Sequence, residues 1–265
     1  MSLQPFPATP DLEARCPAHP DQPSANTCGR CGRFVCAQCP RREGLCRTCE
    51  RRKFIEELPP TTLLARLTQV FVGVRASPAA LSMAVQLWFY ALLSRGTARL
   101  EDARTHDDLL VRLDQPVRVL FLLVALSFLL WLYSTVRVAK ALGRSRQHLW
   151  WSLICWFIPV VNLVAAYRTL HQLRAGLGAP RRDRLLPFFW AAALSGGLAL
   201  GLQSDLFRDN PEPGHWLLLL GAAGNGLHVA GSLLLMLIVG QTQRLVDACK
   251  AEALERTDLP DVHPA

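Results

Sequence analysis

The stretch CWFIPVVN, residues 155–162, lies inside the apolar segment 149–167 and decides how often the chain crosses a membrane. The segment has about the length that a spanning helix needs. Pro159 removes a backbone donor and clashes with the preceding turn, so a helix is expected to break just before it. Asn162 can hydrogen-bond the backbone groups that the break releases. The stretch is therefore predicted to turn back, with a proline-kinked span as the alternative.

The composition of the chain is typical of a membrane protein. Hydrophobic residues make up 51% of the 265 residues, the mean hydropathy is positive, and the apolar residues are clumped rather than periodic. The formal net charge of +8 is compatible with nucleic acid or anionic lipid. The basic residues mostly flank apolar stretches, where they orient spans and contact lipid headgroups. We therefore expect a lipid bilayer as a partner and no nucleic acid.

Four other stretches have about the length that a bilayer requires. They are residues 78–94, 116–136, 185–203 and 215–240. Nine Lys and Arg residues lie between Arg137 and Arg184. If 149–167 turns back, these cations stay in the cytosol with both termini, whereas five crossings would place the basic loop 168–184 outside. The sequence predicts an all-α integral membrane helical bundle in the inner (cytoplasmic) membrane, with four spans plus one re-entrant or interfacial segment and five spans as the alternative.

Three further segments flank the transmembrane domain, which is predicted over residues 78–245. Residues 1–13 are rich in proline and lack the basic start and apolar core of a signal peptide, which predicts a disordered lead and a cytosolic N-terminal domain. Residues 53–77 are predicted to form a linker and an amphipathic helix on the membrane surface, or else to begin the first span. Residues 246–265 are expected to be a cytosolic tail.

The N-terminal head is rich in cysteine and is predicted to bind metal. Seven of the nine cysteines occur in the units CPAH, CGRC, CAQC and CRTC, each of which places two soft ligands three residues apart. The eight candidate ligands are Cys16, His19, Cys28, Cys31, Cys36, Cys39, Cys46 and Cys49. A disulfide knot is disfavoured because seven cysteines cannot all pair and the cytosol is reducing.

Eight ligands divide into two tetrahedral zinc sites, so residues 14–52 are predicted to form a small domain with two structural zinc ions. Each site is filled by protein, which leaves no position for an activated water. The sequence therefore predicts no catalytic residues and no enzyme activity. Phe34 and Val35 are expected to form the small core of this domain.

The order of the cysteine units resembles a B-box-type zinc finger, in which ligand pairs alternate between two sites in a cross-brace. The resemblance implies one site formed by Cys16, His19, Cys36 and Cys39, and a second formed by Cys28, Cys31, Cys46 and Cys49. Cys46 and Cys49 stand where a B-box commonly has histidines. A sequential pairing, like that of two small zinc ribbons, remains open.

A second resemblance covers the membrane domain. The run FLLWLYSTVRVAKALG, residues 128–143, is followed by WWSLICWFIPVVNLVAAYRTLHQLRAG, residues 150–176. The order and spacing resemble a bacterial membrane family known as domain of unknown function 4328, over residues 63–245. The resemblance implies an integral membrane domain and supplies no activity. Its membrane motif corresponds here to Trp156, Pro159, Asn162 and Tyr167.

The predicted spans contain little that could support chemistry. Their apolar cores hold no Asp, Glu, Lys or Arg, which argues against ion transport. Gln86, Asn225 and His228 are the polar exceptions, and His228 is expected to be a buried hydrogen-bonding group between helices rather than a proton or substrate site.

The leading hypothesis is a non-enzymatic, membrane-anchored zinc-finger protein whose cytosolic zinc module recruits or regulates a protein partner. The alternative is a channel or small-solute transporter with the zinc domain as a regulatory head. Zinc sensing is a third possibility.

Overall fold

The computed structural model describes residues 14–17, 19–39, 44–158, 162–180, 183–209 and 214–258. The chain divides into two compact units, Met1–Leu58 with Cys249–Ala265, and Pro59–Ala248. The lead predicted over residues 1–13 lies outside the described residues, as do Pro159 and the end of the predicted tail.

The first unit contains two short antiparallel hairpins followed by a helix. Its elements are β1 (Arg15–Cys16), β2 (His19–Pro23), β3 (Asn26–Thr27), β4 (Phe34–Val35) and α1 (Arg47–Glu56). Strand β1 pairs with β2, and β3 pairs with β4. Strands of two residues supply few ladder bonds, so most of the stability of this unit must come from elsewhere.

The hydrophobic core of the first unit is small and consists mainly of cysteine. Val35 is buried together with Cys28 and Cys49, and Leu45 packs against them. Phe34 is 44% exposed, so the prediction that it joins Val35 in the core is wrong. Successive side chains of a strand point to opposite faces, and only one face of β4 is covered.

The second unit is a bundle of helices. After α1 the chain forms α2 (Thr62–Ser94), α3 (Leu100–Ala141), α4 (Leu149–Ile154), a π-helical turn (Asn162–Ala166), α5 (Tyr167–Gly176), α6 (Leu185–Asp209) and α7 (Trp216–Asp258). Four of these helices, α2, α3, α6 and α7, are long and apolar enough to cross a membrane. The chain is therefore a multi-pass, all-α membrane protein with four candidate spans, as the sequence predicted, and a small N-terminal domain.

Helix α2 is longer than the predicted first span. It runs from Thr62 through Pro78 without a break, so residues 62–77 begin the span rather than form a separate surface helix. A proline inside a helix frees one carbonyl and removes one donor, which a transmembrane helix in a bundle can tolerate. The longer helix brings Arg75 inside a candidate span, whereas the predicted span 78–94 did not include this residue.

Helix α3 begins at Leu100, well before the predicted stretch 116–136. The backbone N–H of Arg99 donates to the carboxylate of Asp102 at 2.8 Å, which caps the start of the helix. Its 42 residues extend over about 63 Å, roughly twice the thickness of a hydrocarbon core. Residues 95–115, between the predicted spans 78–94 and 116–136, are therefore mostly helical.

Glycines end α2 and α3 in the same way. Gly96 and Gly143 have φ values of 66° and 72°, in the left-handed region that favours glycine. The N–H of Gly96 bonds to the carbonyl of Leu93, and that of Thr97 to the carbonyl of Leu92, which is the Schellman pattern. The cap at Gly96 lets the chain reverse over the five residues between α2 and α3.

The described parts of the segment 149–167 hold only α4 and a π-helical turn, and neither is long enough to cross a bilayer. The structure therefore gives no support to a fifth span. Pro159, on which the predicted break depends, lies outside the described residues, and so does the side chain of Asn162.

One end of the bundle is tied together by Gln243 on α7. Its Nε2 donates to the hydroxyl of Thr61 at 2.9 Å, and its Oε1 accepts a hydrogen bond from Trp131 Nε1 at 3.3 Å. The start of α2 and the later parts of α3 and α7 therefore meet at the same end, which we call the Gln243 end.

Arg174 on α5 joins the connecting region to the same part of α7. This buried guanidinium donates to Asp183 at 2.6 Å, to the carbonyl of Ile238 at 3.1 Å, to Thr242 at 2.7 Å and to Gln241 at 3.1 Å. Both partners of the Arg174–Asp183 ion pair are buried. Burial of a charge requires such pairing, so α5 is held firmly against the bundle.

Replacing Arg174 with alanine is expected to destabilise the bundle strongly, because it leaves Asp183 buried without its cation. We expect a loss of about 3–5 kcal/mol in the free energy of unfolding. Equilibrium unfolding in detergent micelles measures this loss. Arg168→Ala on the same stretch is the matched control, since Arg168 is exposed, and should change stability by less than about 0.5 kcal/mol. Similar losses for the two variants would contradict the role assigned to Arg174.

Four crossings place the two ends of the chain on the same side of the membrane, and the positive-inside rule predicts that this side is the cytosol. In intact cells, Ala179→Cys, between α5 and α6, should resist a membrane-impermeant maleimide. Thr97→Cys, between α2 and α3, should be labelled. The parent chain gives the baseline, and permeabilised cells should label both positions. The reverse pattern would show that the orientation is inverted.

Candidate metal centre

The structure brings the eight Cys and His residues of the head into two groups of four. One group is Cys16, His19, Cys36 and Cys39, and the other is Cys28, Cys31, Cys46 and Cys49. Within each group the candidate ligand atoms all lie within 4.8 Å of one another. Successive ligand pairs along the chain belong alternately to the first and the second group, as the B-box resemblance implies. A sequential arrangement would instead join the first two pairs in one site, and these two pairs lie in different groups.

Local structure explains the first group. Cys16 ends β1 and His19 begins β2, so this hairpin presents both side chains on one side. Cys36 directly follows β4, and the N–H of Cys39 bonds to its carbonyl at 3.2 Å in a turn. The hairpin and the turn each supply two ligands.

The second group combines a turn with the beginning of a helix. Cys28 and Cys31 lie in the turn between β3 and β4, where the N–H of Gly32 bonds to the carbonyl of Cys28 at 2.9 Å. Gly32 has a φ of 69°, which only glycine adopts readily. Cys46 and Cys49 lie at the start of α1, one helical turn apart.

The distances in the first group match tetrahedral zinc. With zinc–sulfur bonds of about 2.3 Å, two sulfurs at the corners of a tetrahedron are about 3.8 Å apart. The Sγ atom of Cys39 is 3.7 Å from those of Cys16 and Cys36. The Nδ1 atom of His19 lies 3.3 Å from Cys39 Sγ and 3.4 Å from Cys36 Sγ. These sulfur separations are far longer than a disulfide bond of roughly 2 Å.

The second group has the same geometry. The Sγ atoms of Cys31 and Cys46 are 3.8 Å apart. The backbone N–H of Cys46 donates to Cys28 Sγ at 3.3 Å, a contact that favours the thiolate. Arg30, in the same turn, contacts both carboxylate oxygens of Glu56 at 2.9 Å and so ties the turn to α1.

The ionisation of the thiols also fits a cation. Burial disfavours the thiolate of Cys28, but backbone N–H groups around its sulfur, first that of Cys46, bring its pKa down to about 6. Burial and neighbouring thiols raise the pKa of Cys39 to about 12 and place the pKa of Cys49 above its usual range. The sulfurs of one group ionise together when a divalent cation offsets the repulsion between the thiolates. The donor set of each group therefore suits a soft metal such as zinc.

The membrane motif is only partly covered by the described residues. Trp156 packs edge to face against Phe128 of α3 at 4.9 Å and against Trp190 of α6 at 5.7 Å. Tyr167 contacts the same Trp190 at 6.0 Å. Pro159 and the side chain of Asn162 lie outside the described residues. The segment 149–167 thus packs into an aromatic cluster between two spans.

The three polar residues that the sequence singled out in the spans make few hydrogen bonds between helices. Asn225 donates to the carbonyl of Gly221, one turn away on its own helix, at 3.0 Å. The described residues offer no hydrogen-bond partner to Gln86 Oε1, which is buried. The structure likewise shows no hydrogen bond from His228 to any described residue of another helix, so the expected interhelical bond is not seen. All three residues line a cavity of about 320 Å³.

The intact chain is expected to bind two zinc ions, which metal analysis of the purified protein measures. Cys36→Ala removes a ligand of the first group and Cys49→Ala one of the second, so each variant should lose at least one ion per chain. Cys155→Ala is the matched control, because Cys155 belongs to neither group, and should retain both ions. One ion or none in the parent chain would refute the ligand assignment.

Comparison with known proteins gives one match. The family model described as Domain of unknown function (DUF4328) matches residues 92–246, more than half of the chain. The match begins near the end of α2 and covers α3 to most of α7, and it leaves out the two ligand groups. No curated protein and no solved structure matches the chain. Because this match covers most of its membrane helices, the chain belongs to the DUF4328 family.

Proposed function

We propose that the chain is a membrane-anchored zinc-finger protein whose head, a B-box-type module, holds two structural zinc ions and recruits or regulates a protein partner. The observation that carries this proposal is that protein side chains complete both ligand groups. A site with four protein ligands leaves no open position for substrate or water, which is the arrangement of a structural zinc. The proposal therefore includes no catalysis.

The size of the head supports a structural role for the metal. Its strands have two to five residues, and its core consists largely of the ligand cysteines themselves. Units of this size seldom fold on a hydrophobic core alone. Two ions that each join two distant segments would fix the surface of the head in one conformation, which is what partner recognition requires.

The surface of the head offers contacts for a partner. Phe34 is 44% exposed and Phe54 is 50% exposed, although both are large and apolar. Aromatic residues are enriched at the centres of protein interfaces. We propose Phe34 as an interface residue, because it lies on β4 beside ligand Cys36.

The membrane domain supplies the anchor. We propose that the chain lies in an inner membrane with the head and the C-terminus in the cytosol, which four candidate spans and a basic connecting region support. The partner is then a cytosolic protein or the cytosolic part of another membrane protein. The alternative function, a channel or small-solute transporter, stays a prediction.

Photo-crosslinking in intact cells tests the interface at position 34. A benzophenone amino acid in place of Phe34 should give a discrete protein adduct. The same amino acid at Leu122, which is exposed on α3 within a span, is the control and should give mainly lipid adducts.

Adding Cys36→Ala to the position 34 variant should abolish the adduct, because loss of a ligand disorders the head. An adduct that persists unchanged in this double variant, or that is no stronger than the control at position 122, would contradict recruitment by the folded module.

A further inference from the structure

The bundle contains two cavities that meet at the same side chains. One has a volume of about 480 Å³ and is mainly apolar, and the other has a volume of about 320 Å³ and is more polar. Arg75, His228 and Ser232 line both. Volumes of this size are typical of small-ligand pockets. The two cavities adjoin at these side chains, and we call them the apolar part and the polar part of one site.

Arg75 lies near the middle of α2, inside a candidate span. Its Nε is buried and has no hydrogen-bond partner in the part of the chain that the structure describes. Its guanidinium carbon lies 5.3 Å from the ring centroid of Phe121, a cation–π contact. A cation inside a span is costly and usually marks a ligand or ion site.

No anion of the described residues neutralises Arg75. Asp114 is the one acid among the side chains that line the polar cavity, and its carboxylate accepts a hydrogen bond from Arg118 at 3.3 Å. His228, the other ionisable group shared by both cavities, would add positive charge rather than remove it. The polar part of the site therefore presents a cation together with neutral donors, which is complementary to an anion.

The apolar part is lined by aromatic and aliphatic side chains from several elements. They include Phe121, Leu122 and Phe128 of α3, Trp156 and Phe157 of the segment 149–167, and Phe189 of α6. Leu122 and Phe157 are 66% and 72% exposed, and Leu122 lies within a candidate span. An apolar chain can therefore reach this part from the lipid.

We propose that this site binds a single-chain amphiphile of the fatty-acid class, with its carboxylate at Arg75 and its hydrocarbon chain beside Trp156. The planar guanidinium matches a carboxylate, and the two parts of the site match the two parts of such a molecule. The volume favours one hydrocarbon chain over the two of a phospholipid. The site does not depend on the function proposed for the head.

Quenching of tryptophan fluorescence by a bromo-substituted undecanoate tests this site in the purified full chain in detergent. Bromine quenches only over a short range, and Trp156 lines the apolar cavity. We expect saturable quenching that Trp156→Phe largely removes. The methyl ester of the same probe should bind about tenfold more weakly or worse, because it lacks the charge.

Three variants assign the binding to Arg75. Arg75→Gln should weaken binding of the acid by about tenfold or more, and Arg75→Lys, which keeps the charge but loses the planar guanidinium, should weaken it less. Arg112→Gln is the matched control on α3 and should leave binding unchanged, because Arg112 is exposed and lines neither cavity. If Arg75→Gln elutes as aggregated protein, the comparison of acid and ester on the unaltered chain decides the question.

Competition distinguishes a fatty acid from a phospholipid as the source of the bound anionic group. Unlabelled dodecanoate should displace the probe, which assigns the site to fatty acids. Displacement by phosphatidylglycerol at equal concentration, with no displacement by dodecanoate, would overturn the fatty-acid assignment. Equal quenching by acid and ester, or unchanged affinity in folded Arg75→Gln, would overturn the anion site itself.

Discussion

Inside a bilayer the backbone N–H and C=O groups find no water, and each must be paired within its own segment or covered by protein. This constraint explains why α2, α3, α6 and α7 run without interruption, and why α2 passes through Pro78 rather than ending there. It also explains the position of the segment 149–167. The described parts of this segment hold a short helix and a π-helical turn, and its Trp156 packs against Phe128 and Trp190, so protein covers this part of the segment.

The head depends on a different source of stability. Each ligand group joins segments that lie apart in the sequence, and Val35 is one of few side chains that pack behind the sulfurs. The two units therefore follow separate physical rules. Hydrocarbon selects long helices in one, and metal coordination, as we propose for the head, would hold the turns and short strands of the other. Such a division fits the family match, which covers much of the bundle without the head.

The number of spans was predictable, because an apolar run of sufficient length has few other fates. The ends of the spans were harder to predict. Residues 100–115 are polar enough to resemble a loop, although they begin α3. Gly96, by contrast, indicates in the sequence that α2 ends beside it. The eight ligands followed from their spacing. Spacing alone fits alternating and sequential pairing equally, and the tertiary contacts of Cys36 and Cys39 with Cys16 and His19 decide between them. The contacts of Arg174, more than sixty residues away on α7, have no local signature.

Arg174 has a consequence beyond stability. Thr169, on the same helix, lies 4.0 Å from the sulfur of Cys155, next to Trp156. Cys155, the neighbour of Trp156, thus contacts α5, which buried, charge-assisted hydrogen bonds of Arg174 join to α7. These contacts favour a cavity whose width is set before any molecule enters. Its selectivity would then come from a rigid shape, which admits one thickness of chain, rather than from closure around whatever binds.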